Sequence, residues 1–399
     1  MAKVLYMSYD GLTDPLGQSQ ILPYLTGLAQ KGHSISILSF EKPDRFTKLR
    51  QEIEAQCRAV NIQWFPLQYH KRPPVLSTVY DVWMLHRKAF SLYQQHKYDM
   101  VHCRSYITSL VGLRMKQRTG IRFLFDMRGF WVEERVEGGL WNLRNPLYKA
   151  VHDFFKRKEK QFIREADSIV SLTYKAKAYI ERTFSAGQHK IIVIPCSADL
   201  QFFKPENFSA GDKQALREKL GIRHDDFVLL YLGSLGTWYC YDEMVTFYHV
   251  LKEKNPKARF LFVTPDLDRV ESHPDFIKVT ATRNDVAKYA SIAQLAVYFI
   301  KPTFSKSASS ATKMAELMAM RIPFITNSDI GDIEWLMQDT TAGYVIRAHD
   351  TNEYRKAIGL MTDPSLSFRV SSEIMNFLDI RTSIDAYDAI YNEAISFKY

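Results

Sequence analysis

Short β-branched and aromatic runs alternate with amphipathic stretches along the chain, and this alternation constrains the fold more than any other feature. Strands are predicted at Val4–Tyr9, Ser34–Ser39, Ile62–Pro66, Met100–Arg104, Arg122–Arg128, Ser168–Thr173 and Lys190–Pro195, with helical patterns such as Ser19–Lys31 and Thr78–His96 between them. Apolar strands separated by helices specify βαβ units and a parallel sheet covered on both faces. The pattern restarts with Phe227–Gly233, Arg259–Thr264, Ile277–Thr280, Leu295–Ile300, Pro323–Thr326 and Tyr344–Ile346. A chain of 399 residues exceeds one ordinary core and accommodates two. The fold class read from the pattern is α/β, with two doubly wound Rossmann-like domains, the first over residues 1–200. The turn-rich Cys196–Asp212 stretch reads as the linker and Ser365–Tyr399 as helical.

A hydrophobic content of 46% with 24% charged residues excludes a disordered or fibrous chain. No apolar run approaches the ~18 residues needed to cross a bilayer, and the first residues read as a strand rather than a signal peptide. Cys57, Cys103, Cys196 and Cys240 are far apart and form no Cys-x-x-Cys pair, so reduced thiols in a cytoplasmic protein are expected, not a zinc site or disulfide framework. The net charge of +9 is uneven. Residues 1–200 carry 30 Lys and Arg against 18 acids, and residues 201–399 carry 23 against 26. Such asymmetry suits contact of the first half with an anionic surface or substrate. Clustered basic residues interleaved with aromatics on an exposed sheet are missing, so no nucleic-acid partner is expected.

Parallel sheets present ligands at the carboxyl ends of their strands, and five loops there carry candidate chemistry. In Ser8–Gln20, Gly11 and Gly17 allow close backbone approach and Ser19 can cap the next helix; the spacing is not that of a dinucleotide loop. In Phe125–Glu134, Arg128 can hold a sugar hydroxyl or a phosphate, beside Asp126 and Trp131. In Ser307–Met320, small hydroxyl residues leave room for an anion at a helix start, and Lys313 adds charge in the first turn. Glu316, one turn on, suits a ribose diol better than a phosphate. Gly233–Tyr239 can cradle phosphate. Arg283, at another helix start, can meet a nucleotide or Asp285.

Taken in order, these segments resemble the retaining GT-B glycosyltransferases, and within them glycosyltransferase family 4. The similarity runs through Leu28–His33, Ala166–Val170, Val193–Asp199 and Tyr231–Ser234, and is strongest over Lys313–Asn327. It implies a GT-B fold: an acceptor-binding domain 1–200 facing a nucleotide-sugar-binding domain 201–376 across a cleft, with a helix at about 377–399 returning to the first. It implies a metal-independent hexosyltransferase, without cofactor, moving a sugar from a nucleotide diphosphate-sugar (UDP favoured, GDP possible) to a saccharide or polyprenyl-linked acceptor in bacterial surface polysaccharide synthesis. In such a front-face reaction the leaving phosphate helps deprotonate the acceptor, and no protein nucleophile is needed. The implied catalytic residues are Arg128, Asp126 and Glu316. The implied donor-binding residues are Gly17, Gly233, Ser234, Arg283, Ser310, Thr312, Lys313 and Glu316, and the acceptor-binding residues are Asp10, Gln18, Arg104, Trp131 and Glu134.

Three departures stand out. Ala308 occupies the place of the first glutamate of the family's E-x7-E motif, Ser234 and aromatic residues replace an Arg/Lys pair, and Arg128-Gly129 replaces His-Gly. The missing glutamate keeps open a non-catalytic nucleotide-sugar-binding subunit, and the shared architecture keeps open a nucleotide-sugar epimerase, a reading that Arg128 in place of the histidine does not help. The basic amphipathic stretch Asn145–Arg164 reads either as a helix lying on the cytoplasmic face of an anionic membrane or as a solvated face on a core-packed helix.

Overall fold

The computed structural model describes residues 1–184 and 190–396. It divides into two compact units, one formed by residues up to Pro195 together with Arg381 onward, the other by Cys196–Ile380. The boundary expected at 200/201 therefore falls at 195/196. Cys196–Asp212 is not a free linker. Ala198 and Phe203 are fully buried in the second unit, and Ala198 is bridged to Asp379 by hydrogen bonds of 2.9 and 3.0 Å to Leu378 and Ile380.

Among the described residues, the first unit contains seven parallel strands, β1 (Lys3–Ser8), β2 (Ser34–Glu41), β3 (Gln63–Gln68), β4 (Met100–Arg104), β5 (Arg122–Asp126), β6 (Ser168–Ser171) and β7 (Ile191–Val193), in the order β3-β2-β1-β4-β5-β6-β7. β1, β2, β4 and β5 are buried nearly throughout, as the unbroken apolar runs require of a sheet covered on both faces. The order reverses direction between β1 and β4. There the register sets Ser39, Ser8, Arg104 and Asp126 side by side at the carboxyl ends. That is the switch point where open α/β sheets bind ligands.

The Ile380–Ser396 helix packs on this unit through polar ties. His33 meets Asp388 at 2.7 Å, Lys31 meets Asp385 at 2.7 Å, and the Tyr391 hydroxyl meets His102 Nδ1 at 2.8 Å. The helical reading of residues 397–399 lies outside the described residues.

The second unit holds six parallel strands among the described residues, β8 (Phe227–Leu232), β9 (Ala258–Val263), β10 (Phe276–Val279), β11 (Leu295–Val297), β12 (Phe324–Asn327) and β13 (Gly343–Ile346), ordered β10-β9-β8-β11-β12-β13. Its core is a continuous aliphatic and aromatic cluster. Here the order reverses between β8 and β11, and the loops after those two strands carry Gly233 and the Ser307–Lys313 segment.

Candidate functional site

In the second unit, β8 ends in Leu232 and the chain turns through Gly233 at φ 107°, a left-handed conformation that favours glycine. A Cβ on Gly233 would stand 3.3 Å from Lys313 Nζ, so the turn and the lysine are fitted to one another. Lys313 lies in the first turn of the Thr312–Ala319 helix, which follows extended Ala311, a residue that offers no side-chain cap. Its ammonium is buried with its centre 3.8 Å from the Tyr239 ring centroid, 4.5 Å from Tyr231 and 5.7 Å from Tyr298, and it reaches the Tyr231 hydroxyl at 3.5 Å. Among the described residues no carboxylate stands within ion-pair distance of it. Burial pushes this amine down to about 7, with Glu316 opposing the shift. Aromatic faces return only part of the lost hydration of a cation, which leaves the pocket short of negative charge.

One turn along, the buried Glu316 is ion-paired with Arg283, whose guanidinium also lies 4.8 Å from the centre of the Phe203 ring. Arg283 thus meets Glu316, not Asp285, whose carboxylate instead accepts from Thr282 Oγ1 at 2.6 Å. The Ser310 hydroxyl accepts from the Cys196 N–H at 3.1 Å, and Thr312 stays half-buried at the helix start. Ser234 is exposed, and its carbonyl accepts from the Tyr231 hydroxyl at 2.6 Å. Gly233, Ser234, Arg283, Ser310, Thr312, Lys313 and Glu316 are therefore all placed in this unit's carboxyl-end loops or the helix they open.

The tyrosine cage was not singled out from sequence, although Trp238, Tyr239 and Tyr241 crowd one loop. Nor was Lys306, a buried lysine whose Nζ lies 3.8 Å from the Trp238 ring centre. A cavity of about 490 Å³ adjoins the same loop, lined by Thr237, Tyr239, Cys240, Arg269 and Lys301 among others.

In the first unit, Glu41 at the end of β2 organises the 11–14 loop. It accepts from Leu12 N at 2.8 Å, Thr13 N at 3.0 Å and Thr13 Oγ1 at 2.6 Å. A Cβ on Gly11 would come within 2.5 Å of Glu41 Oε2, and one on Gly17 within 2.1 Å of the Gly11 carbonyl. The missing side chain of Gly17 lets the loop pack closely on itself. Ser19 caps nothing, because the helix already starts at Pro15 and Ser19 Oγ donates to the Pro15 carbonyl at 2.8 Å. Gln18 turns its amide to the Thr13 carbonyl at 3.3 Å.

Arg104 and Arg128, at the ends of β4 and β5, converge on Gln20. Arg104 Nη2 donates to Gln20 Oε1 at 3.0 Å and Arg128 Nη2 to the same oxygen at 2.8 Å. Asp10 Oδ2 lies 3.6 Å from Arg104 Nε. Arg128 adopts φ 56°, unusual for a side chain of its size, so the turn after β5 is strained.

Asp126 is fully buried. Its Oδ2 accepts from the Tyr387 hydroxyl at 3.3 Å and faces His102 Nε2 at 3.4 Å, while Oδ1 lies 3.9 Å from Arg128 Nη1. Burial alone would raise its carboxyl, but Arg128 and then His102 hold it below the usual carboxylate range. Asp126 thus ties the C-terminal helix to the sheet and lies beside Arg128.

Trp131 is likewise not an open platform. It stacks on Tyr106 (centroids 5.6 Å, planes 25° apart), lies edge-on to Trp141 and Phe155, and carries the Arg135 guanidinium 4.9 Å from its centre. Glu134 is half-buried in the same Trp131–Glu137 helix.

The Pro146–Glu165 helix buries Phe155, Glu159, Phe162 and Ile163, and Lys156 is ion-paired to Glu133 and Glu159. One face of this stretch is thus core-packed, while Leu147 and Phe154 stay exposed. No helix among the described residues is long and apolar enough to cross a membrane. No group of metal-ligating side chains is assembled among them, and none of the four cysteines is in a disulfide.

Residues 21–202 match the family model Glycosyltransferase Family 4. The D-inositol 3-phosphate glycosyltransferase of Streptomyces scabiei is 22% identical over 302 residues, which cover 71% of this chain and 65% of the relative. The match thus spans slightly under two thirds of that relative's length. Among solved structures, sucrose-phosphate synthase from Thermosynechococcus elongatus superposes with a TM-score of 0.67 at 16% identity, covering 100% of this chain and 98% of the other. Anabaena Alr3699/HepE in complex with UDP and glucose gives a TM-score of 0.63 at 12% identity, covering 100% and 99%. At such identities the likeness shows the fold.

Proposed function

We propose that this chain, glycosyltransferase family 4-like and of GT-B fold, is a retaining glycosyltransferase that moves a sugar from a nucleotide diphosphate-sugar to an acceptor held by its first unit. The observation that carries this reading is Lys313: a buried ammonium at a helix start, caged by aromatic rings and without a carboxylate partner among the described residues, fits the diphosphate of such a donor. Glu316, already oriented by Arg283, fits the ribose hydroxyls.

In this reading, Lys313 and the first N–H groups of the Thr312–Ala319 helix stabilise the charge that builds on the leaving diphosphate, which is where electrostatic catalysis acts. The proton of the acceptor hydroxyl passes to the leaving phosphate on the same face, so no side chain serves as nucleophile. No metal or further cofactor is invoked.

UDP is the favoured nucleotide, supported by the complex of Anabaena Alr3699/HepE with UDP and glucose. The acceptor is a saccharide or polyprenyl-linked saccharide of bacterial surface polysaccharide synthesis. A bilayer-borne acceptor calls for peripheral contact with an anionic membrane. The Leu76–His96 helix supports that contact, since it exposes Leu76, Val79, Tyr80 and Trp83 at helical spacing.

A thermal-shift panel of UDP, GDP, ADP and their glucose conjugates tests the donor half. The expected result is a rise in melting temperature with UDP compounds, lost in Lys313→Ala. Absence of any shift with every nucleotide overturns the proposal.

A further inference from the structure

His70 follows β3 by two residues, at the same carboxyl edge as the loops after β1 and β2. Its Nδ1 meets Asp81 Oδ1 at 2.6 Å, and its backbone N–H donates to Asp81 Oδ2 at 3.2 Å. Asp81 lies in the Leu76–His96 helix and is fully buried. The hydroxyl of Tyr9, one residue past β1, donates to the same Oδ2 at 2.8 Å. A buried carboxylate needs donors on both oxygens, and these groups supply them. Such a carboxylate takes the Nδ1 hydrogen of an imidazole, which leaves the neutral ring with its lone pair on Nε2. Nε2 has no partner among the described residues, and the side chain is 36% exposed, enough for a ligand to reach it. The Tyr80 ring stands nearly perpendicular to the imidazole, with centroids 5.2 Å apart. A tie between loop and helix could be made by any N–H donor. An imidazole adds a second nitrogen, and the tie itself fixes that nitrogen as an acceptor.

We infer that His70, oriented by Asp81 and Tyr9, is an acceptor-binding subsite that takes a hydroxyl group of a saccharide through Nε2. This rests on the reading of the first unit as the acceptor half. His70 touches the sugar, while Asp81 and Tyr9 are positioning residues that set its tautomer and ring angle. A lone pair recognises an O–H donor, which every sugar carries, whereas an ionised phosphate or carboxylate offers only acceptor oxygens. Tyr80, 48% exposed beside the imidazole, supplies an apolar face against which the C–H side of a sugar ring can lie.

The test uses the full-length protein with isotope-labelled histidine at about pH 8, where imidazoles are ordinarily neutral. Proton–nitrogen correlation spectra are expected to show His70, assigned by the loss of its signal in His70→Asn, with hydrogen on Nδ1 and none on Nε2. The methyl glycosides of glucose, galactose and mannose are then titrated in separate arms, with and without saturating UDP. At least one is expected to shift the Nε2 resonance. Asparagine can keep the donor to Asp81 through its amide but puts nothing in the place of Nε2. His70→Asn is therefore expected to leave the melting temperature unchanged and to weaken glycoside binding, read by saturation-transfer NMR, about three- to tenfold, the scale of one neutral hydrogen bond. His70→Ala should lose both stability and binding. A hydrogen on Nε2, a wild type that binds no glycoside, or wild-type affinity in His70→Asn overturns the inference, and the last makes the residue a loop tie only. Should His70→Asn fail to fold, the wild-type spectra decide, because an unmoved Nε2 resonance beside a bound glycoside overturns it as well. A chain that binds glycoside at His70 but no UDP refutes the transferase reading and leaves the subsite standing.

Discussion

Arg283 and Glu316 are 33 residues apart and form an ion pair beside the buried Phe203 ring, so the carboxylate proposed for the ribose is held by a guanidinium. Holding it fixes its rotamer, and one oxygen is left to accept from a diol. Glu316→Gln keeps the shape and loses the charge. UDP affinity is expected to fall about tenfold, the scale of one charge-assisted hydrogen bond. Because Arg283 is a quarter exposed, the folding penalty should be only about 1 kcal/mol. Isothermal titration and urea unfolding of the variant separate the two effects, and Arg283→Ala should show the same affinity loss through a loosened carboxylate.

Lys313 gives the protein a pH response of defined sign. Its folded-state value of about 7 lies below the ordinary lysine value, so the folded chain releases this proton before the unfolded chain does. Stability of the free protein should therefore rise as pH climbs from about 7 towards the ordinary lysine range. A bound diphosphate restores the charge, so binding above pH 7 should take up a proton and UDP affinity should fall as pH rises. Calorimetry in HEPES and in Tris, whose ionisation enthalpies differ, measures the uptake. Lys313→Met should abolish it.

Gly233 tests whether the lysine and its turn are one device. Alanine there must adopt φ 107°, at a cost of about 1–3 kcal/mol, and its methyl would press on the Lys313 ammonium. Gly233→Ala should lower the melting temperature and abolish nucleotide binding. Gly236→Ala, three residues on with open space around its Cβ, should do neither.

The alternation of apolar runs made the strands legible: a predicted run overlaps every strand of the two sheets, and the central strands, buried on both faces, had to be almost wholly apolar. The helix-start loop was legible for a similar reason, since Ser310, Thr312, Lys313 and Glu316 are close in sequence and one turn of helix keeps them close in space. What the sequence hid is what tertiary packing decides. The partner of Arg283 is remote in the chain, and so is the Tyr387 that turns Asp126 into a tie for the C-terminal helix. A glycine needed for self-packing, as Gly17 is, looks the same in sequence as one needed for a ligand. An aromatic residue at a strand's end can stack inward, as Trp131 does on Tyr106, as readily as it can face a sugar.

The proposed membrane contact has two candidate surfaces, the Pro146–Glu165 helix, which buries Phe155 and Phe162 but exposes Leu147 and Phe154, and the Leu76–His96 helix. On the latter, Leu76 is 67% and Trp83 48% exposed, with Val79 and Tyr80 between them on the same face. From Tyr69 to Tyr98 the only acid is Asp81, which is buried against Tyr9 and His70, while Lys71, Arg72 and Arg87 are exposed. Aliphatic and aromatic side chains flanked by unopposed cations suit the interface of an anionic bilayer, with ~1 kcal/mol expected from each basic residue near the surface. Sedimentation with vesicles of phosphatidylglycerol and phosphatidylcholine should therefore carry the protein down, and vesicles of phosphatidylcholine alone should not. The double change Leu76→Ser with Trp83→Ser should abolish the binding, high salt should weaken it, and Leu147→Ser with Phe154→Ser on the neighbouring helix should leave it in place. If the second pair matters and the first does not, the contact belongs to the Pro146–Glu165 helix after all; if neither vesicle binds the protein, the acceptor reaches the first unit from solution.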